Sequence, residues 1–263
     1  MSTMVLNKIV GADYKEVGLG RKLPAGDRCL AWFEFGVSER LSVRNHAQYG
    51  GRGQFVGGTI ASAGFSAGFF ITEIANDLLS GDTTLIAFFS PGNLGTDLSA
   101  AFQAGGVTGT NQAVYENSPL RYSACIQQRV FSSAAYDVAT QVGTYDSTSP
   151  ASSGTNNSVS RLLSGSTQAL CTVQEFVAST RLHTSTLRNN GTFSTPSTGS
   201  ATAAVNHIRD TRTTIPFEVN CWSGSNSVAY SFMVFSGLLT ATEKNALYAL
   251  EKARLTALGV TNL

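Results

Sequence analysis

The C-terminal run from Phe232 to Leu258 restricts the fold of this chain more than any other stretch. Phe232-Met-Val-Phe235 is a short apolar run of strand character. The segment that follows it has the one clear amphipathic helix pattern in the sequence. Thr240 and Glu243 have the spacing of a capping box, in which each side chain satisfies an amide left open at the helix start. Leu247, Leu250, Arg254/Leu255 and Leu258 recur at helical spacing, and Gly259 can take the left-handed conformation that ends a helix. The pattern predicts a helix over 240–258. A single helix closing a chain otherwise made of short strands and turns predicts an all-β sandwich.

Composition narrows this further. The chain has 263 residues, 26 of them glycine, with 13% charged and 42% hydrophobic residues. Low charge with much Gly, Ser, Thr and Asn suits many short strands joined by turns. Aromatic residues make up 10%, and apolar runs recur throughout, which excludes a disordered chain. A net charge of +1 gives no basic footprint, so no nucleic-acid partner is expected. Cys29, Cys125, Cys171 and Cys221 are widely and irregularly spaced, which argues against a zinc site and for free buried thiols. The N-terminus lacks the apolar core of a signal peptide, and no run reaches membrane-spanning length. The expectation is a chain made in a cytosol, kept reduced and not inserted in a membrane.

Residues 1–28 sustain no period and read as an N-terminal arm that covers a sheet edge or reaches a partner. From Cys29 onward strand patterns dominate. Leu30-Ala-Trp-Phe-Glu-Phe-Gly36 is a strand with an aromatic cluster. Ser38–Gly53 is polar. Gln54-Phe-Val-Gly-Gly58 and Thr59-Ile60 read as short strands broken by glycine, and Asp82-Thr-Thr-Leu-Ile-Ala-Phe-Phe89 is the strongest strand of the set. A turn of helix is expected at Leu98–Phe102. Further strands are expected around Val114, Leu120–Ile126, Arg129–Phe131, Tyr136–Gly143, Ala169–Ala178, Arg181–Leu187, His207, Ile215–Trp222 and Ala229–Phe235. Asp146–Ser158 and Ser194–Ser200 read as polar loops, and Asn189-Asn-Gly191 as a hairpin-type turn. No linker divides the chain, so 29–263 is expected to be one domain.

No constellation of residues dictates a reaction. Gly64-Phe-Ser-Ala-Gly68 matches the nucleophile-elbow pattern, but that motif needs a strand-to-helix turn on a parallel sheet, and the chain lacks the strand–helix rhythm. It is read as a turn. Glu34, Glu116, Glu175 and Glu218 stand isolated in the sequence, Glu73 and Asp77 have helical spacing, and no pair alternates along one strand as a glycosidase would need, so these carboxylates read as salt-bridge or loop partners. His46, His183 and His207 have no acidic residue at ligand spacing and read as surface or satisfied strand histidines. No catalytic residue, metal or cofactor is expected. Arg40, Arg44 and Arg52 form a basic set that reads as a solvated loop or subunit contact, the alternative being a site for phosphate or an acidic sugar. Sugar recognition needs an aromatic face for the apolar side of a pyranose and polar groups for its hydroxyls. The candidates are Trp222 with Asn220 and Asn226, Tyr115 with Asn117, and Tyr145 with Asp146. Trp222 reads equally well as core, and the two tyrosines equally well as interface.

The order of the pieces resembles the laminin-G-like, concanavalin-A-like jelly-roll superfamily. The residues that carry the likeness are Leu30–Gly36, Gln54–Gly58, Asp82–Phe89, the hairpin Ser185-Thr-Leu-Arg-Asn-Asn-Gly191 and the strand–helix tail Phe232–Tyr248. The resemblance covers 29–258. It departs at Gly36, where the family's acidic residue is usual, and no Asp/Asn pair marks a calcium site. It implies a two-sheet antiparallel jelly-roll sandwich with one C-terminal helix. Similar signal-less chains occur in tailed bacteriophages, which implies a non-enzymatic virion component (tail, fibre, baseplate or capsid decoration). Such a component would assemble with other virion proteins or with itself, and it could bind host-surface glycan. A stand-alone lectin module and a glycan hydrolase are the alternatives.

Overall fold

The computed structural model describes residues 24–47, 50–75, 81–90, 102–105, 120–132, 135–146, 149–163, 169–177, 179–180, 182–200, 216–221 and 226–263. The elements are β1 (Cys29–Glu34), α1 (Glu39–Ser42), β2 (Gly53–Ile60), β3 (Phe65–Ala75), β4 (Thr83–Ser90), β5 (Phe102–Gly105) and β6 (Leu120–Ser132). They continue with β7 (Ala135–Asp146), β8 (Ser149–Leu163), β9 (Leu170–Val177), β10 (Leu182–Arg188), β11 (Ser197–Ser200), β12 (Pro216–Cys221), β13 (Val228–Ser236) and α2 (Ala241–Ala257). For β6, β7 and β8 the backbone alone is described.

The fold is mostly antiparallel β-structure with one long C-terminal helix. The ladders form a single open hydrogen-bonded path, β11-β10-β9-β4-β13-β3-β12-β5-β6-β7-β8, with β1 added beside β13 and β2 beside β3. The link between β13 and β3 is one residue pair, Ala229 with Phe65. Strands on either side of that link also touch through their side chains. The Phe33 and Phe70 rings lie 4.9 Å apart edge to face, Phe35 and Phe65 lie 4.8 Å apart, and Phe217 and Phe232 lie 6.2 Å apart. Edge-to-face pairs at such distances add to the area they bury.

Why β1, β4, β9 and β13 read as near-continuous apolar runs follows from this arrangement. Both of their faces are covered. Phe33, Leu85, Ala87, Phe232 and Val234 point into the phenylalanine cluster. Trp32, Ile86, Phe88, Met233 and Phe235 point the other way, onto Leu247, Tyr248 and Leu255 of α2. A strand buried on both sides has no need of polar alternation.

The helix is set by local and distant contacts together. Thr240 and Glu243 complete the capping box, and Gly259 takes φ 92° beyond the C-cap. The cap is worth about 1 kcal/mol. Burying Leu247, Tyr248 and Leu255 at about 2 kcal/mol each outweighs it, so docking rather than capping holds the helix. Lys244 pairs with Glu175 of β9 at 2.9 Å. The Arg188 guanidinium of β10 lies 3.7 Å from the centre of the Tyr248 ring, a cation–π contact, and donates to Asn245 Oδ1 at 2.7 Å.

Several expectations change at this point. Gly57 and Gly58 do not break a strand: β2 runs through both, at φ 70° and 90°. A Cβ on Gly58 would come 2.8 Å from Ser66 O, and one on Gly68 would come 2.6 Å from Gly58 Cα, so the two backbones meet too closely for side chains. Gly64–Gly68 is not a turn, since β3 begins at Phe65 and Ser66 pairs with Thr59 inside an antiparallel ladder. Asp146–Ser158 is not a loop, because β8 starts at Ser149. Ser197–Ser200 pairs with β10 as β11. Both segments are polar and carry none of the apolar signal that a sequence reading relies on. Residues 1–23 of the arm, positions 98–101 of the expected turn of helix and the runs around Val114 and His207 lie outside the described residues, while Phe102, the last residue of that turn, begins β5. The last residues of the arm are tied to the fold. Ser236 N–H donates to Arg28 O at 2.9 Å, and the Arg28 side chain bonds Leu238 O and Glu243.

Candidate functional site

An open groove of about 510 Å³ lies between the segment that starts α1 and the strand β2. Its volume falls in the range usual for ligand clefts. Val37, Ser38 and Glu39 form one wall, and Phe55, Gly57, Gly58 and Ile60 form the other.

The first wall is held rigidly. Gly36 has φ 115°, and a Cβ there would sit 2.7 Å from the Ala63 carbonyl carbon. Phe35 N–H donates to Tyr230 O at 2.8 Å, and Gly36 N–H donates to the buried Ser42 hydroxyl at 3.0 Å. Val37 N–H lies 3.2 Å from Ala61 O and 3.1 Å from Ser62 O. Held on both sides, Val37 is forced to φ 60°, a conformation a β-branched residue rarely takes, and its side chain is left 46% exposed. Ser38 caps α1 by accepting from Leu41 N–H at 3.4 Å. The Glu39 carboxylate is exposed and has no side-chain partner among the described residues.

The second wall presents an aromatic ring and bare backbone. Phe55 is only partly buried. Its ring lies 4.9 Å from Phe70, 5.1 Å from Phe65 and 6.1 Å from Phe35, so the core fixes its orientation. Gly57 has nothing within 4 Å of where a Cβ would stand. Next to the groove, Val56 is 49% exposed.

The candidates singled out in the sequence do not converge on this groove. Asn220 lies on β12 and is 1% exposed. Asn226 is exposed, at φ 57°, just before β13. Tyr145 and Asp146 end β7, paired with Arg121 and Leu120. Asn220 pairs through Gln103 to Gln127, so Tyr145 lies three strands across from it, about 14 Å, and well along the sheet as well. Tyr115, Asn117 and Trp222 lie outside the described residues. Sequence reading missed Glu39, Val37 and Phe55. A usable signal existed in the Gly-Gly pair that follows Phe55, since paired glycines in a strand mark close backbone approach or open space.

A second polar cluster is buried under α2. Arg254 pairs with Glu251 at 2.6 Å, donates to Tyr230 O at 3.0 Å and lies 3.6 Å from Glu34 of β1. His46 Nε2 is 3.8 Å from the other oxygen of Glu34. Glu34 and Glu175 are thus salt-bridge partners, as the sequence reading expected: each anchors α2 to the sheet. Cys29 and Cys221 are buried free thiols pushed up to about 12 by loss of solvent, and burial raises Cys171 as well. Among the described residues no His, Cys, Asp and Glu side chains gather in a group of three able to hold a metal ion. No helix among them is long and apolar enough to cross a membrane.

No protein-family model and no curated protein matches the sequence. Solved structures do match. The botulinum neurotoxin serotype D binding domain aligns with 86% of this chain at 11% identity and TM-score 0.51, a likeness of fold alone. The chain spans about half of that structure, 52%. Trypanosoma rangeli sialidase in complex with sialic acid aligns with 87% of this chain and 34% of its own length, at 10% identity and TM-score 0.48. A carbohydrate esterase from the Shiga toxin-encoding bacteriophage phi24B aligns with 80% of this chain and 99% of its own, at 13% identity and TM-score 0.42.

Proposed function

We propose that this chain is a non-enzymatic carbohydrate-binding protein built as a concanavalin-A-like two-sheet jelly roll, and that it serves as an adhesive component of a bacteriophage virion. The two layers are β1-β13-β4-β9-β10-β11 and β2-β3-β12-β5-β6-β7-β8, hinged at the single pair Ala229–Phe65 and packed through the phenylalanine cluster. A shared fold with a domain whose known role is binding supports the reading.

The observation that carries it is the groove. Phe55 offers a ring whose orientation the core fixes, which suits the apolar face of a pyranose. Glu39 offers a carboxylate without a partner among the described residues. Gly57, with open space where a Cβ would stand, lets a ligand approach the main chain. The virion reading rests on the polar, sparsely charged composition and the N-terminal arm, which suit the bacteriophage members of the superfamily that Leu30–Gly36, Gln54–Gly58 and the C-terminal tail resemble.

The test is a glycan array probed with the intact chain. Saturable binding is expected. It should weaken at least about tenfold in Phe55→Ala, the usual scale for losing a buried aromatic anchor. Glu39→Ala, at an exposed position, should also weaken binding without a change in melting temperature. Binding untouched by both substitutions would place recognition elsewhere. Co-sedimentation with assembled particles separates a virion component from a free lectin.

A further inference from the structure

We infer that the groove selects uncharged sugars and turns away acidic ones. This rests on reading the groove as a glycan site and names the ligand class for it. Among the described residues that line the groove, Glu39 alone carries charge. Its carboxylate is exposed and lacks a side-chain partner among the described residues, so it keeps its full acceptor capacity for hydroxyl donors.

The basic set that suggested an acidic sugar in the sequence does not serve this groove. Arg44 and Arg52 are joined to each other in a backbone bridge, and neither lines the cleft. Arg40 follows Glu39 on α1, and adjacent helix positions do not face the same way. A sugar carboxylate seated on Phe55 would thus meet a carboxylate and, among the described residues, no guanidinium. Two like charges about 5 Å apart cost about fourfold in affinity at the dielectric of water, and on the order of a hundredfold at the lower effective dielectric of a protein surface. A neutral pyranose loses nothing by this. Neighbouring hydroxyls donate to Glu39, one ring face lies on Phe55, and Gly57 leaves room for the ring edge.

The experiment compares matched oligosaccharides, neutral and carrying sialic acid or a uronate, on the intact chain at low and high salt. Neutral forms should bind at least about tenfold more tightly, with the gap narrowing as salt screens the repulsion. Glu39→Gln should reduce neutral binding severalfold and close the gap, and Glu39→Lys should reverse the preference. Unchanged melting temperatures for both variants would confirm that folding is intact. Equal or tighter binding of acidic sugars by the unaltered chain, insensitive to Glu39→Lys, overturns the ligand class. If Phe55→Ala still abolishes that binding, the glycan reading itself survives. Absence of binding to either class sinks both.

Discussion

Val37 and its neighbour Gly36 show how one backbone position can shape a surface. Gly36 sits where a side chain would run into the 62–64 backbone, at a φ that only glycine adopts freely. Gly36→Ala is expected to lose at least about 2 kcal/mol, because both the clash and the conformation oppose it. Val37 carries the opposite signature. It is strained, and its exposed side chain contributes little to the core. Val37→Asn, a residue that tolerates the left-handed region, should therefore raise stability by about 1 kcal/mol. Urea unfolding of the two variants decides both signs. A destabilised Val37→Asn would mean that the valine side chain packs more than its exposure indicates. None of this is legible in the sequence, where Gly36 marks only the end of a strand.

At the scale of elements, the C-terminal helix is the piece in which sequence and structure agree best. Its start depends on Thr240 and Glu243, three residues apart, and both halves of the box form. Glu243 also receives the Arg28 side chain, and that contact, with the cap bonds next in order, holds its carboxyl below the ordinary 4.5. The sign of the effect on stability follows. The contribution is full above the unfolded value and is lost as pH falls through the lowered folded value. Glu243→Gln should thus melt lower than the parent protein at pH 6, and the difference should shrink towards pH 3. Because the Glu243 side chain is only partly buried, the same difference should also shrink in high salt. A pH-independent difference would assign the effect to packing instead. Strands buried on both faces, β4 and β13 above all, were equally readable, because continuous apolar runs survive any choice of partner. Strand β8 was not, since a polar strand is distinguished from a polar loop only by the neighbours that take its hydrogen bonds.

The whole molecule closes over its thiols. Cys29, Cys171 and Cys221 come from β1, β9 and β12, and all are buried with their thiolate forms disfavoured by desolvation. In the native protein at pH 8, at most one of the four cysteines should react with an aromatic disulfide reagent, and all should react in denaturant. Rapid native reaction of a second thiol would show that the core opens. The sequence predicted free buried thiols from spacing alone, and the described residues place three of them in the interior.

What the chain encodes locally was readable before any coordinates. The capping box, the helical stripe and the doubly apolar strands depend on residues within a few positions of one another, and so the amino-acid order determines them. The groove and the anchor beneath the helix depend on the approach of distant segments. Glu34 finds Arg254 only when β1 and α2 pack together, and Glu39 comes to line the same groove as Phe55 only because Gly36 lets the backbone turn against 61–64. Hydrophobic periodicity records which residues leave water. It does not record which polar groups will meet at the surface, since that is decided by how whole strands are arranged in space.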